Sequence, residues 1–145
     1  MHQNRWSNCS FTLTHSLQIH HNRLARILLS ADIRTRINEM MNSLNWATLD
    51  KRWTNHLLII LYKCLTDDAP SYLCSQFNYV QSLHSHGTRS QTFNSLNVPS
   101  WNINPGKRTF HYRACQTWNQ LPADIRKNAL SMSLHSFKAC IMNYD

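Results

Sequence analysis

RTFHYRACQTWNQLPADIRKNALSMSLHSFKACI, residues 108–141, decides the fold class. Phe110, Ala114, Trp118 and Leu121 recur at three- and four-residue steps, which places them on one face of a helix. Pro122 stops that helix, because it has no N–H to give and disfavours helical geometry in Leu121 before it. Ser131 offers an N-cap for a second helix whose apolar face carries Leu134, Phe137 and Ile141. Trp118 and Phe137 are the heaviest apolar side chains of the pair, so its stability should rest on them, with Leu121 and Pro122 setting the bend. Nothing in this stretch has the pattern of catalytic machinery.

The same period runs upstream. Leu49–Leu65 is the longest and clearest element: Trp53, Leu57, Ile60, Leu61 and Cys64 or Leu65 form a stripe that Leu58 and Ile59 broaden. A helix apolar over so much of its circumference belongs at the centre of a bundle. Thr48 serves as its N-cap and Asp50 suits the positive end of its dipole. Before it, Leu17, Leu24, Ile27 and Leu28 share a helical face, with Thr14 or Ser16 placed to cap. A shorter helix over residues 34–44 offers Ile37, Met40, Met41 and Leu44. After it, Pro70 opens a short helix holding Tyr72, Leu73 and Phe77. Between Gln81 and Lys107 the composition turns to Ser, His, Asn, Thr and Gly, which reads as a linker. Within it Leu96-Asn97-Val98-Pro99 reads as a short strand, and Asn104-Pro105-Gly106-Lys107 as a turn.

The fold expected is therefore mainly α, a helical bundle followed by a small irregular and helical C-terminal unit with one short β pairing. Its divisions are an unstructured edge at 1–13, a bundle at 14–80, a polar linker at 81–107 and a helical hairpin unit at 108–145. Only two glycines and four prolines leave little material for a turn-rich β-sandwich. A length of 145 residues suffices for a core, and an apolar content of 42% with 10% aromatics suits a folded chain. The formal charge of +8 rests on fifteen cations, ten of them arginine, which points towards nucleic acid or another polyanion. Five cysteines without a CxxC pair or a leader argue against a disulfide scaffold or zinc module. No apolar run approaches the roughly 18 residues that span a bilayer. A soluble intracellular protein, nuclear or cytoplasmic, without membrane contact is expected.

A family resemblance rests on particular residues. Trp118-Asn119-Gln120-Leu121-Pro122, then Ile125-Arg126, then Phe137-Lys138 resemble the C-terminal tail of reverse transcriptases from non-LTR (LINE-like, jockey-type) retrotransposons. There a WN-x-LP element is followed by a basic residue and a Phe-Lys pair. Leu17, Gln18, Asn22, Ala25 and Arg26 match an LQ-x-x-QN-x-x-AR segment of that family, with His21 in place of its glutamine. The family's LxWLPV-x-x-R is similar to the segment at Leu44-Asn45-Trp46, although Ala47-Thr48 replaces its Leu-Pro. Arg89-Ser90, Val98-Pro99 and the Gly106-Lys107 turn also fit, while His86-Gly87-Thr88 departs from the leucine expected before Arg89. The likeness covers Leu17 to Ile141 and is strongest from Pro70 onward. It implies a thumb-like first bundle and a parent activity of RNA-directed DNA polymerisation, which this chain, without fingers and palm, would not itself carry out.

Asp67-Asp68 invites a two-metal polymerase reading, but Thr66 before it and Pro70 after it describe a turn at a helix end. His20 and His21 point about 100° apart on a helix and cannot chelate together. His84 and His86, with Cys74, complete no tetrahedral set at familiar spacing, and no metal or cofactor is expected. Cys115 lies one helical turn from His111, where a buried thiol beside Trp118 is the commoner outcome than a nucleophile.

The best functional candidate is the basic and aromatic run from Lys107 to Arg113. Arg108, Tyr112 and Arg113 present charge and a stacking plane while Phe110 faces the core, an arrangement suited to phosphates with a base or ribose packed beside them. Arg126 and Lys138 extend this set, and Arg23, Arg26, Arg34 and Arg36 form a second basic group. The competing reading of the run is a solvated helix start with aliphatic stems over apolar neighbours. The functional expectation is a non-catalytic fragment of a reverse transcriptase with a surface for RNA or DNA. The alternative is a small helical protein-interaction domain, or a decayed gene product, whose apolar surface left by missing domains drives self-association.

Overall fold

The computed structural model describes residues 11–83, 94–102 and 104–144. Among these the chain is helical, with nine helices and a single β-bridge. It divides into two units, Met1–Thr54 and Asn55–Asp145, with the boundary inside one continuous helix. The division therefore falls well upstream of the polar stretch at 81–107, which the composition shift had marked as a linker.

Unit 1 is built from α1 (Phe11–Leu28), α2 (Ile37–Ser43) and the start of α3 (Leu49–Leu65). Its core is small: Ala25, Met40 and Met41 are buried, with Ala31, Leu44 and Trp46 packed against them. Helix α1 begins at Phe11, so Thr14 and Ser16 lie within it and cap nothing, and residues 11–13 are helical rather than an unstructured edge. The face expected to be buried is turned outward: Leu17, Leu24, Ile27 and Leu28 are 36%, 55%, 72% and 62% exposed. What α1 buries instead is His21 and Ala25. The His21 ring lies 5.0 Å from that of Trp46. Gln18 donates to Asn22 Oδ1 at 2.8 Å and accepts the Leu49 N–H at 3.2 Å, satisfying a free donor at the start of α3. Thr48 Oγ1 accepts from the Lys51 N–H, the cap expected from the sequence.

Unit 2 takes the rest of α3 and adds α4 (Ser71–Cys74), α5 (Val80–Leu83), α6 (Asn104–Lys107), α7 (Phe110–Gln120), α8 (Ala123–Ala129) and α9 (Leu134–Asn143). Leu57, Leu58, Leu61 and Tyr62 of α3 share one core with Phe77, Leu96, Trp118, Phe137 and Ile141. Trp118 and Phe137 are fully buried. The Tyr62 ring stacks on Phe137 at 4.6 Å, and its hydroxyl donates to the Met132 carbonyl at 2.6 Å. The C-terminal hairpin expected at 108–145 is thus inseparable from the second half of α3. It also has three helices rather than two: Pro122, read as a stop, precedes α8, since a residue that lacks an N–H costs nothing at a helix start. The cap of α9 is Ser133, whose Oγ accepts the Ser136 N–H at 3.2 Å, and not Ser131.

Helix ends are made without glycine. Helices α1, α2 and α3 are each followed by a residue of positive φ: Ser30 (47°), Asn45 (52°) and Asp67 (55°). In each case the next N–H reaches back five positions, Ala31 to Arg26 at 3.0 Å, Trp46 to Met41 at 2.8 Å and Asp68 to Lys63 at 2.8 Å. This is the Schellman closure, which glycine usually supplies. Where glycine does occur, at Gly106, space demands it: a Cβ there would come within 2.5 Å of the Trp101 ring.

Candidate nucleic-acid interface

Residues 94–98 form a short extended segment held on two sides. On one side Val80 N–H donates to Ser95 O at 2.9 Å and Asn97 N–H to Asn78 O at 2.8 Å, forming the antiparallel bridge of Tyr79 with Leu96. That pattern points the N–H and C=O of Leu96 itself the other way. There the Asn119 side chain meets both, its Oδ1 accepting the Leu96 N–H at 2.9 Å and its Nδ2 donating to the Leu96 carbonyl at 2.8 Å. One carboxamide takes the place of a neighbouring strand. Trp118 Nε1 donates to Asn94 O at 2.7 Å, and Asn94 Nδ2 donates to Arg126 O at 3.0 Å. Trp118, Asn119 and Arg126, on which the family resemblance rests, are therefore spent on holding this segment.

Arg126 does not stand on the open surface expected of it. It is 5% exposed, and its Nη1 donates to Ser95 Oγ at 2.6 Å. Lys138 is half-buried on α9, one position past the buried Phe137. Arg26 is half-buried in unit 1, with Nη2 donating to Thr35 O at 3.4 Å, while Arg23, Arg34 and Arg36 are exposed there. Trp53, expected as a structural anchor, is half-buried.

What the fold does bring together is the junction of α6 and α7. Thr109 is the N-cap of α7: its hydroxyl donates to Gly106 O at 2.8 Å and its oxygen accepts from Tyr112 N–H at 3.4 Å. This fixes the turn so that Lys107 and Arg108 are exposed beside the first turn of α7, with Tyr112 and Arg113 half-buried just beyond. Phe110 turns to the core, edge-on to Phe77 at 5.9 Å. The N-terminus of a helix carries partial positive charge, so the two cations reinforce the local field instead of opposing it. Gln116 and Gln120 continue outward from Arg113 at helical steps and are exposed. Sequence reading passed over both, as well as Lys107 as a site residue; the three-then-four spacing from Arg113 was the available signal.

The other candidates resolve into local structure. Asp67 and Asp68 are exposed in the turn that closes α3. Cys115 is fully buried, and burial pushes its thiol up to about 12, so it is no thiolate at neutral pH. Burial also lowers the pKa of His111, whose ring lies edge-on to Phe77 at 5.2 Å. Among the described residues no three His, Cys, Asp or Glu side chains converge as a metal set, and no helix is long and apolar enough to cross a membrane. His84, His86, Arg89 and Ser90 lie outside the described residues. No protein-family model, curated protein or solved structure matches the chain.

Proposed function

We propose that this chain is a non-catalytic helical segment that binds an RNA or DNA backbone through the junction of α6 and α7, as its resemblance to the tail of non-LTR retrotransposon reverse transcriptases implies. The observation that carries the reading is the exposure of Lys107 and Arg108 at the positive end of α7, with Tyr112 and Arg113 half-buried in the turn that follows. Charge placed against a helix dipole costs roughly 0.3–1 kcal/mol, a cost that a phosphate bound there reverses. The tyrosine supplies a ring against which a base or ribose can pack. Unit 2 as a whole carries eight lysines and arginines against four acids.

The test is binding of the purified chain to single-stranded RNA and DNA over a salt series, beside an Arg108→Ala/Arg113→Ala variant. Binding should weaken steeply with salt, and losing two contacts should flatten the slope by roughly 1.4–1.8. Failure to bind either polymer at low salt would remove the proposal. A second reading, a protein-interaction domain or one that self-associates, is favoured by the apolar face that α1 exposes through Leu24, Ile27 and Leu28.

A further inference from the structure

Gly106 is buried although Pro105 before it and Lys107 after it are exposed. What covers it is Trp101. A Cβ built on Gly106 would lie 2.5 Å from Cγ and Cδ2 of that ring and 2.7 Å from Cε3, so the indole rests directly on the backbone of α6. The ring is not thereby taken into the core. Trp101 is 42% exposed, whereas Trp118 is fully buried and Trp46 and Trp53 are half-buried. A tryptophan left so open withholds from the core much of the area it could bury.

Its neighbours give the open part of the ring a use. Lys107 follows Gly106 directly and Arg108 comes next, both exposed. From Ala69 to Ala123 the chain carries no acid, so nothing in that stretch repels a polyanion. The Thr109 hydroxyl donates to Gly106 O at 2.8 Å and the Arg108 N–H to Pro105 O at 3.1 Å, so ring seat and cations belong to one fixed turn. An open aromatic ring beside cations is the arrangement that takes a single strand of nucleic acid, with phosphates against the charge and a base stacked on the ring. In a duplex each base is already stacked within the helix, and only an unpaired one can offer its face. We infer that Trp101 is a stacking platform for an unpaired base, which makes the polymer at the α6–α7 junction a single strand. The inference rests on the phosphate reading of that junction and adds the base to it. Gly106 is part of the device, because any side chain there would push the ring off its seat.

The experiment measures binding of the full chain, by fluorescence anisotropy, to a single-stranded oligonucleotide, to its duplex and to an abasic strand of the same length. The single strand should bind more tightly than either, and Trp101→Ala should weaken it roughly 5- to 150-fold, the loss of one stacked base. The salt slope should stay the same, since no cation is removed. Trp101→Phe, which keeps a ring, should retain most of the affinity, and the abasic strand should bind wild type and Trp101→Ala alike. Unchanged affinity in Trp101→Ala, equal losses on intact and abasic strands, or equal binding of single strand and duplex by wild type overturns the platform. The last comparison needs only the wild-type chain, so it stands even where a variant fails to fold. Where salt-dependent binding persists through such a result and weakens in the Arg108→Ala/Arg113→Ala variant, the junction reading stands and the platform alone falls. Where no polymer binds at low salt, both fall.

Discussion

Replacing Asn119 with alanine removes a side chain and exposes nothing, yet it should be among the more damaging changes on the outer half of α7. The carboxamide satisfies both backbone groups of Leu96, a residue that is 1% exposed. Each buried polar group left without a partner costs about 1–3 kcal/mol, so the pair amounts to roughly 2–6, and about 3 is expected once the neighbours relax. For a domain of roughly 60–100 residues that corresponds to a fall in Tm of about 12–24 °C, readable by circular dichroism during a thermal scan. Asn119→Asp refines the test. Its carboxylate still accepts from the Leu96 N–H but turns a second oxygen towards the Leu96 carbonyl, where wild type places a donor. A protonated carboxyl restores that donor, so its folded pKa should be raised above the unfolded value of about 3.9. A raised pKa gives stability that is present below the unfolded value and is lost as pH rises through the folded one. The aspartate variant should therefore approach wild type in acid and fall away towards neutrality. A cost under about 1 kcal/mol for alanine, together with a flat pH response for aspartate, would show that water replaces the amide freely and refute the reasoning.

Asp67→Gly should raise stability by about 1 kcal/mol, since glycine adopts positive φ without penalty and the change removes a negative charge from the end of α3; chemical denaturation reads the gain. Phe137→Ala should cost about 3–5 kcal/mol and leave unit 2 largely unfolded, a loss visible as the collapse of near-ultraviolet circular dichroism. Burial, helped by Arg52, lowers the pKa of His21 below 6.5, so its contribution is complete above 6.5 and lost as pH falls through the folded value. Unit 1 should accordingly weaken in mild acid, and His21→Phe, which keeps a ring against Trp46, should flatten its melting temperature across that range. Ile27→Glu, at a side chain 72% exposed, should leave the melting temperature within about 1 °C while reducing any concentration-dependent association seen by sedimentation.

How much of this was legible follows from what helical periodicity measures. Leu49–Leu65 was legible to its ends because an apolar stripe follows the Thr48 cap, and the stripe from Phe110 to Leu121 ends within a residue of α7 because Pro122 stops it, while the Thr109 cap was not read. The stripe on α1 was equally clear, and the structure leaves it uncovered. Periodicity reports that a face is apolar and is silent on what meets it. Helix α8 was passed over because Pro122 signals both the end of one helix and the start of another. The unit boundary was sought in composition, whereas it falls inside α3, where no change of composition marks it. Asn119 and Arg126 were the hardest to place. A polar residue beside a buried tryptophan looks like the solvated flank of a helix, and only the arrival of residues 94–96 from elsewhere in the chain gives both an interior partner.

The pairing of Asn119 with Leu96 also decides what the extended segment can recruit. A strand that shows a free row of N–H and C=O groups is a template on which another chain can lay itself down, and proteins blunt such edges in several ways. Here the outward pair is taken up by a side chain, which matches one residue and has no backbone to continue the row. The bridge of Tyr79 and Leu96 is consequently closed at its birth: it anchors a loop to the core without offering the next molecule anywhere to add.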